Sequence, residues 1–315
     1  MTKITSLQAI AGALVAFGLS AAPAHALATR TWVSGHGADS GACALAAPCR
    51  TFAFALTQTA SGGEIDVLDP AGYGTMTITK AVSIVNDGVG VAGIQPGSGF
   101  SGVTINAGAF DSVHLRGLTI EGAGSGSSGI QFNTGGNLAI ENCVIRGFVN
   151  VGIFISPSTS SSFSVSNSIA SNNGGGEGIF ITPSGSAVVT GVLSEVTANN
   201  NFAGIAVIGS STIGASLNLT IVDSEASNNE FGVEVSSASP NAAAAVMLRT
   251  VVVSKNGTGL DAFQNTILRV AHSVVTGNTV GVQTHSGAII NSYCDNEIDG
   301  NTNNNTGALT VIPTH

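Results

Sequence analysis

The sequence is poor in charge and in aromatic rings: Asp, Glu, Lys and Arg make up 9% of its 315 residues, and Phe, Trp and Tyr 5%. Only 9 side chains are Lys or Arg against 18 Asp or Glu, a formal charge of −9. So few cations leave no basic footprint for nucleic acid or for an anionic membrane surface. By the same sign rule a long anionic polysaccharide is an awkward ligand unless calcium mediates. There are four cysteines, and the segment that holds Cys43 and Cys49 has too few ligands for zinc. The longest apolar run is too short to span a membrane. With 42 Gly and abundant Ser, Thr and Asn, such a composition usually signals low complexity. Here the apolar residues alternate instead, which suits stacked strands.

Residues 1–26 read as a signal peptide of bacterial type, with Lys3 in the n-region, an apolar stretch from Ile10 to Leu19 and an Ala24-His25-Ala26 cleavage site. They direct the remainder to the periplasm or the extracellular space. Residues 27–49 read as an irregular segment carrying Trp32 and the pair Cys43 and Cys49, which has five residues between its members. In an exported chain that pair suits a local disulfide, with two free thiols as the alternative. Cys143 and Cys294 fall within repeat strands and suit buried apolar positions.

From residue 50 to the end a degenerate repeat takes over. A Gly followed by alternating apolar residues recurs at Gly102, Gly129, Gly152, Gly178, Gly204, Gly232, Gly259 and Gly281, with steps of 22 to 28 residues. Asn172, Asn199, Asn228, Asn256, Asn278 and Asn301 form a second marker in phase with it. Five of these six follow a Val or Ile by three residues, the exception following Glu225. Two markers at one period mean stacked units, and 22 to 28 residues is one coil of a right-handed parallel β-helix. Asn side chains stacked at a turn satisfy one another and the turn backbone through a ladder of amide hydrogen bonds.

Ahead of the first coil, Phe52, Phe54, Ala55, Leu56 and Ala60 predict a short capping helix ended by Gly62-Gly63, followed by strands in EIDVLD and MTITKAVSIV around an Asp69-Pro70 turn. This order of features resembles the N-terminal region of the pectate-lyase-like β-helix superfamily, which includes pectinesterases and uncharacterised right-handed β-helix repeat proteins. Through the repeat, the resemblance extends over residues 50–312. It implies an all-β, right-handed parallel β-helix of roughly nine coils in one domain, residues 50–315. It implies no single activity, because the superfamily holds lyases, hydrolases, esterases, epimerases and non-enzymes.

Period two puts Ile153 and Ile155 inward and Phe154 outward, with the same register at Ile179/Ile181, Ile205/Val207 and Val233/Val235. The outward position of this strand, read down the coils, gives Thr104, Gln131, Phe154, Phe180, Ala206, Glu234, Asp261 and Gln283. Two exposed phenylalanines beside two neighbouring carboxylates form a candidate ligand-binding stripe of Gln131, Phe154, Phe180, Glu234, Asp261 and Gln283. Glu234 and Asp261 are also the candidate acid–base pair, or calcium ligands, should the chain be an enzyme. Asp295, Glu297 and Asp299 echo the D-x-D-x-D-G opening of a calcium loop, although Thr306 stands where a closing Glu belongs. No other cofactor is called for. Loops such as SPSTSSS, TPSGS, GSSTIGAS and SSASPNAAAA, together with the glycine-rich Glu121–Gly129, are expected at one corner, lining one side of the solenoid.

Catalytic signatures of the superfamily are missing. Gly35-His36-Gly37 matches the G-H-G string of polygalacturonases but lies before the helix, without partner aspartates or an R-I-K element. Arg249, Lys255 and Arg269 are out of phase with Glu234 and Asp261, and His272 and His285 sit at different phases, as surface or turn residues. Paired pectinesterase aspartates and the D-P-H of alginate epimerases are absent. The sequence therefore predicts an exported, non-catalytic protein that binds glycan or another envelope component through one solenoid face. The alternatives are a divergent polysaccharide lyase or glycoside hydrolase, and a structural or adhesin-like rod.

Overall fold

A computed structural model describes residues 27–213 and 216–313; the leader expected at 1–26 lies outside them. The chain winds into a parallel β-solenoid of about nine turns. Each turn gives two strands to one extended sheet and a third to a separate ten-stranded sheet, Met76–Ile78 at one end and Asn303–Asn305 at the other. Every strand pair is parallel, for example Ser128–Thr134 against Val151–Ile155, because each strand meets its equivalent one coil away. The inward register of the sequence is the one found: Ile153, Ile155, Ile179, Ile181, Ile205, Val207, Val233 and Val235 are fully buried.

The first coil starts earlier than the sequence indicates. Residues 27–49, expected to be irregular, contain strand β1 (Ala28–Val33), which pairs with β2 (Thr59–Val67). The Cys43–Cys49 disulfide is formed, with Cα atoms 4.8 Å apart. The bridged loop then runs along the outer edge of β1, where the Trp32 N–H donates to Cys43 O and the Cys49 N–H to Trp32 O, both at 2.9 Å. An edge that would otherwise invite another strand is thereby covered. Helix α1 (Phe52–Gln58) turns Phe52, Ala55 and Leu56 onto the open apolar end of the stack, and Thr51 caps it by accepting the Phe54 N–H. The helix does not run to Gly62-Gly63. Thr59 stops it by donating its hydroxyl to Ala55 O while buried against Thr31, and the glycine pair lies inside β2.

The Asn marker is present but shifted. The ladder consists of Asn173, Asn201, Asn229, Asn256 and Asn278, all buried, and half-buried Asn301, so the sequence picks the right residue in three coils and one within two positions in the other three, Asn172, Asn199 and Asn228. Bulky Val and Ile mark the wrong phase there, because buried Ala170, Ala198 and Ala226 hold the equivalent apolar position. The residue before each ladder Asn takes a left-handed conformation: Asn172, Asn200, Asn228, Lys255, Gly277 and Gly300. Asn is well suited to that conformation, and its side chain at Asn228 faces solvent.

From Asn201 on, each ladder Asn makes at least four side-chain hydrogen bonds, whereas Asn173 at the start makes two. Asn229 Oδ1 accepts the Asn201 N–H at 2.9 Å and its Nδ2 at 3.4 Å, while Asn229 Nδ2 donates to Ala198 O at 3.0 Å and Asn256 Oδ1 at 3.2 Å. The repeat glycine makes room for it. A Cβ at Gly204 would lie 2.8 Å from Asn229 Nδ2 and 2.7 Å from Gly232 O, with equivalent contacts at Gly152, Gly178, Gly232, Gly259 and Gly281. The ladder begins at Phe148, whose backbone N–H donates to Asn173 Oδ1 and whose buried ring fills the corner one coil earlier.

Cys143 is a buried thiol, as expected, and burial pushes it up to about 11. Cys294 is exposed beyond the end of strand Ile289–Tyr293 and is no core residue.

Removing one rung strands several buried donors and acceptors, each costing about 1–3 kcal/mol. Asn229→Ala is expected to lower the unfolding free energy by about 3 kcal/mol or more, whereas Asn228→Ala, one residue away, costs about 1 kcal/mol as a left-handed Ala. Urea denaturation of the two variants beside the wild type checks the difference.

Candidate functional site

The predicted stripe is assembled on the ten-stranded sheet. Backbone register pairs Thr104 with Gln131, Gln131 with Phe154, Phe154 with Phe180, Phe180 with Ala206, Ala206 with Glu234, Glu234 with Asp261, and Asp261 with Gln283. Phe154 and Phe180 are half-buried and stack on one another, with ring centroids 5.5 Å apart at 22°. Towards the N-terminal end the row becomes polar: Gln131 bonds Ser101 and Asn133, and Asn133 bonds Asn106.

The acidic end differs from its expected form. Asp261 is 2% exposed, so it does not face solvent beside Glu234. His285 closes over it: Nε2 lies 2.9 Å from Asp261 Oδ1, and the imidazole stacks flat on Phe263 at 4.0 Å and 4°. Despite this close approach, Asp261 Oδ1 makes no well-aligned hydrogen bond. From the sequence His285 is expected as a surface or turn residue. The signal was available, because Phe263 and His285 each stand four positions after their repeat glycine, Gly259 and Gly281, and so share a row.

Glu234 is half-buried. Loss of water around it, then repulsion from Asp261 and from Glu177, raise its pKa above the ordinary value. Burial likewise raises Asp261, against the pull of His285, and raises Glu177. Glu177 escaped notice because it precedes Gly178, outside the row that the alternation defines. Asp69, which accepts bonds from the Gly35 N–H and the Ser34 and Tyr73 hydroxyls, is held well below the usual carboxylate range. Ser34, Gly35 and His36 are thus a staple between β1 and the Asp69 turn, which accounts for the G-H-G string.

The three acids near the C-terminus do not share a cage. Asp295 caps the His272 turn, accepting its N–H at 3.0 Å and standing 3.3 Å from its ring; Asp299 accepts the Gly300 N–H and the Asn304 amide; Glu297 is exposed alone. The two aspartates are committed to separate turns, and among the described residues no three His, Cys, Asp or Glu side chains converge to hold a metal.

A groove of about 460 Å³ lies on the extended sheet and not on the stripe. Its face is built by three outward rows. The first runs Ser162, Thr190, Asn218, Ala245, Ile267 and Ile289; the second Ser164, Val192, Thr220, Met247, Arg269 and Asn291; the third begins Ser166, Ser194, Val222 and Arg249. Arg249 and Arg269 are therefore brought together, away from Glu234 and Asp261 as their phase implied. The corner loops form the rim between the groove and the stripe. Successive loops extend the backbone ladder, with the Ser184 N–H donating to Pro157 O and the Ala242 N–H to Thr212 O. The glycine-rich loop of Glu121–Gly129 lies at the other corner, stacked on Gly147 through the Gly124 N–H.

Residues 71–219 match the family model described as a right handed beta helix region. No curated protein matches the chain in sequence. Among solved structures it is similar to a rhamnogalacturonan lyase (14% identity, 90% of this chain and 89% of that one covered, TM-score 0.58). It is also similar to the pectate lyase Pel9A (16% identity, 92% and 78% covered, TM-score 0.53). At these identities the likeness is one of fold, and the fold is a right-handed parallel β-helix.

Because the folded pKa values of Glu234 and Asp261 lie above their unfolded ones, the folded state binds extra protons between the two, and stability falls as pH rises through the folded values. Glu234→Gln removes its share. Thermal unfolding from pH 4 to 8 should show a smaller loss with rising pH for that variant, which ends more stable than the wild type at pH 8.

Proposed function

We propose that this chain is an exported, non-catalytic binder of a neutral glycan, held along the row from Gln131 through Phe154 and Phe180. The observation that carries the reading is the pair of half-exposed, stacked phenylalanine rings flanked by a hydrogen-bonded Ser101–Gln131–Asn133 edge. Apolar ring edges beside fixed amides match the alternating C–H and hydroxyl faces of a sugar chain. Export rests on reading residues 1–26 as a leader. The fold is shared with carbohydrate-acting enzymes, which suits a glycan partner, but the acid–base alternative asks Asp261 to reach a substrate, and its side chain is covered by His285.

The test is retention of the purified protein on immobilised neutral polysaccharides, with reducing ends and unsaturated uronate measured alongside, with and without calcium. Phe154→Ala/Phe180→Ala should weaken retention at least tenfold, about 1.4 kcal/mol, with no product formed by any variant. Product release that disappears in Glu234→Gln would replace this reading with the lyase or hydrolase alternative.

A further inference from the structure

Two properties of the grooved face reverse along the solenoid axis. The first is shape. Down the first outward row, Ser162, Thr190, Asn218 and Ala245 are small or polar, whereas Ile267 and Ile289 are bulky and apolar. The groove includes Ser162, Thr190 and Gly191 but neither isoleucine, and Ile289 stands 47% exposed as a knob at the other end. The second is charge. Along the edge of the face, Glu195 and Asp223 occupy left-handed turns in two successive coils, directly after Ser194 and Val222 of the third row. The next two coils bring Arg249, beside Val222, and Arg269, beside Met247.

Within the chain these four charges are not used. Arg30, Arg116 and Arg146 hold acids, and Arg50 and Lys80 hold backbone carbonyls. Among the described residues, no ion pair or hydrogen bond engages the side chain of Arg249, Arg269, Glu195 or Asp223. The other charged groups nearby have partners: Glu225 accepts the Asn199 amide, and His272 is held by Asp295. A strip of two acids followed by two bases is complementary to a reversed copy of itself. The same reversal sets the bulky end of the first row against its small end. With solenoid axes parallel, by contrast, Arg269 would meet Arg269 and like charges would repel.

We propose that this face is a homodimer interface, in which two copies pack their extended sheets with solenoid axes antiparallel. The twofold axis runs along the strands, between Leu217–Val222 and Ala244–Arg249. Arg249 then opposes Val222 of the second copy, with Asp223 one residue on, and Arg269 opposes Val192, with Glu195 at the end of the same strand segment. The arginine stems cover these valines, of which Val192 is 44% exposed, while the guanidiniums reach the carboxylates. Ile267 and Ile289 enter the small end of the other copy's groove, at Thr190 and Ser162. Symmetry makes each contact twice. From Ser161–Ser171 to Ile289–Tyr293 the face measures on the order of 24 by 17 Å, which is small for a permanent dimer. Exposed ion pairs each add little, so the association is weak and salt-sensitive. It lies on a different sheet from the Phe154/Phe180 row, leaves that row open, and stands whether or not the row binds glycan.

The experiment is sedimentation equilibrium of the purified protein over a range of concentrations, at low and at about 0.15 M salt. A monomer–dimer equilibrium is expected, weaker at the higher salt. Arg249→Glu/Arg269→Glu sets acids against acids, and Glu195→Arg/Asp223→Arg sets bases against bases, so each should weaken dimerisation at least tenfold. An equimolar mixture of the two variants should dimerise again, because every contact in the mixed dimer joins opposite signs. Ile289→Asp, which touches none of those charges, should also weaken the dimer at least tenfold. Far-ultraviolet circular dichroism checks the fold of each variant, and recovery on mixing is an outcome that a misfolded chain does not give. A wild type that stays monomeric at low salt, a dimer indifferent to the charge variants or to Ile289→Asp, or a mixture no more associated than its components would each overturn the proposal.

Discussion

The structure depends on a buried column of asparagines at one corner of the solenoid. Each rung from Asn201 on accepts the backbone N–H of the rung before it and donates to a carbonyl of the preceding coil, so turns that cannot hydrogen-bond within themselves are satisfied by their neighbours. The column fixes the vertical register of the coils, because a slip would leave a row of amide groups unpaired in an apolar corner, where each is expensive. It also dictates the repeat glycine, whose Cβ would occupy the space of the amide. The two markers of the repeat are thus two sides of one contact. One coil before the ladder begins, Phe148 fills the corner with an aromatic ring instead.

With register fixed at the corner, every outward position becomes part of a row with about 4.8 Å between members. Function on such a scaffold is a matter of which rows carry which side chains. The ten-stranded sheet carries aromatics, then acids whose pKa values burial raises, with repulsion from Asp261 and Glu177 adding to the rise at Glu234. The extended sheet carries hydroxyls, an apolar floor and two arginines. Net charge is a poor guide to a molecule built this way. The −9 total is unevenly spread: the rows that hold Arg249 and Arg269 carry no acid from Ser162 to Asn291, whereas Glu195, Asp223 and Glu225 line the adjoining corner. Likewise Glu234 and Asp261, adjacent in one row, differ in environment because a side chain from the next coil covers only one of them.

The ends follow the same physics. At the N-terminal end, α1 covers the apolar interior and the Cys43–Cys49 loop covers the strand edge, two devices for two exposed surfaces. The disulfide therefore acts where the stack has no preceding coil to pair with.

By itself the sequence determined the coil period, the inward and outward alternation, the membership of the Gln131-to-Gln283 row and the capping helix, since all of these follow from spacing along the chain. It located the Asn ladder only to within two residues, because in three coils the apolar anchor is alanine and adjacent asparagines share the turn. Tertiary structure alone decided the rest. That β1 is already a coil strand, that His285 covers Asp261, that Glu177 adds to the acidic end, and that Arg249 and Arg269 meet unpaired on a grooved face all depend on contacts between residues one or more coils apart. Those contacts are set by where each coil's variable loops bring the next strand in, and a one-dimensional period does not record that placement.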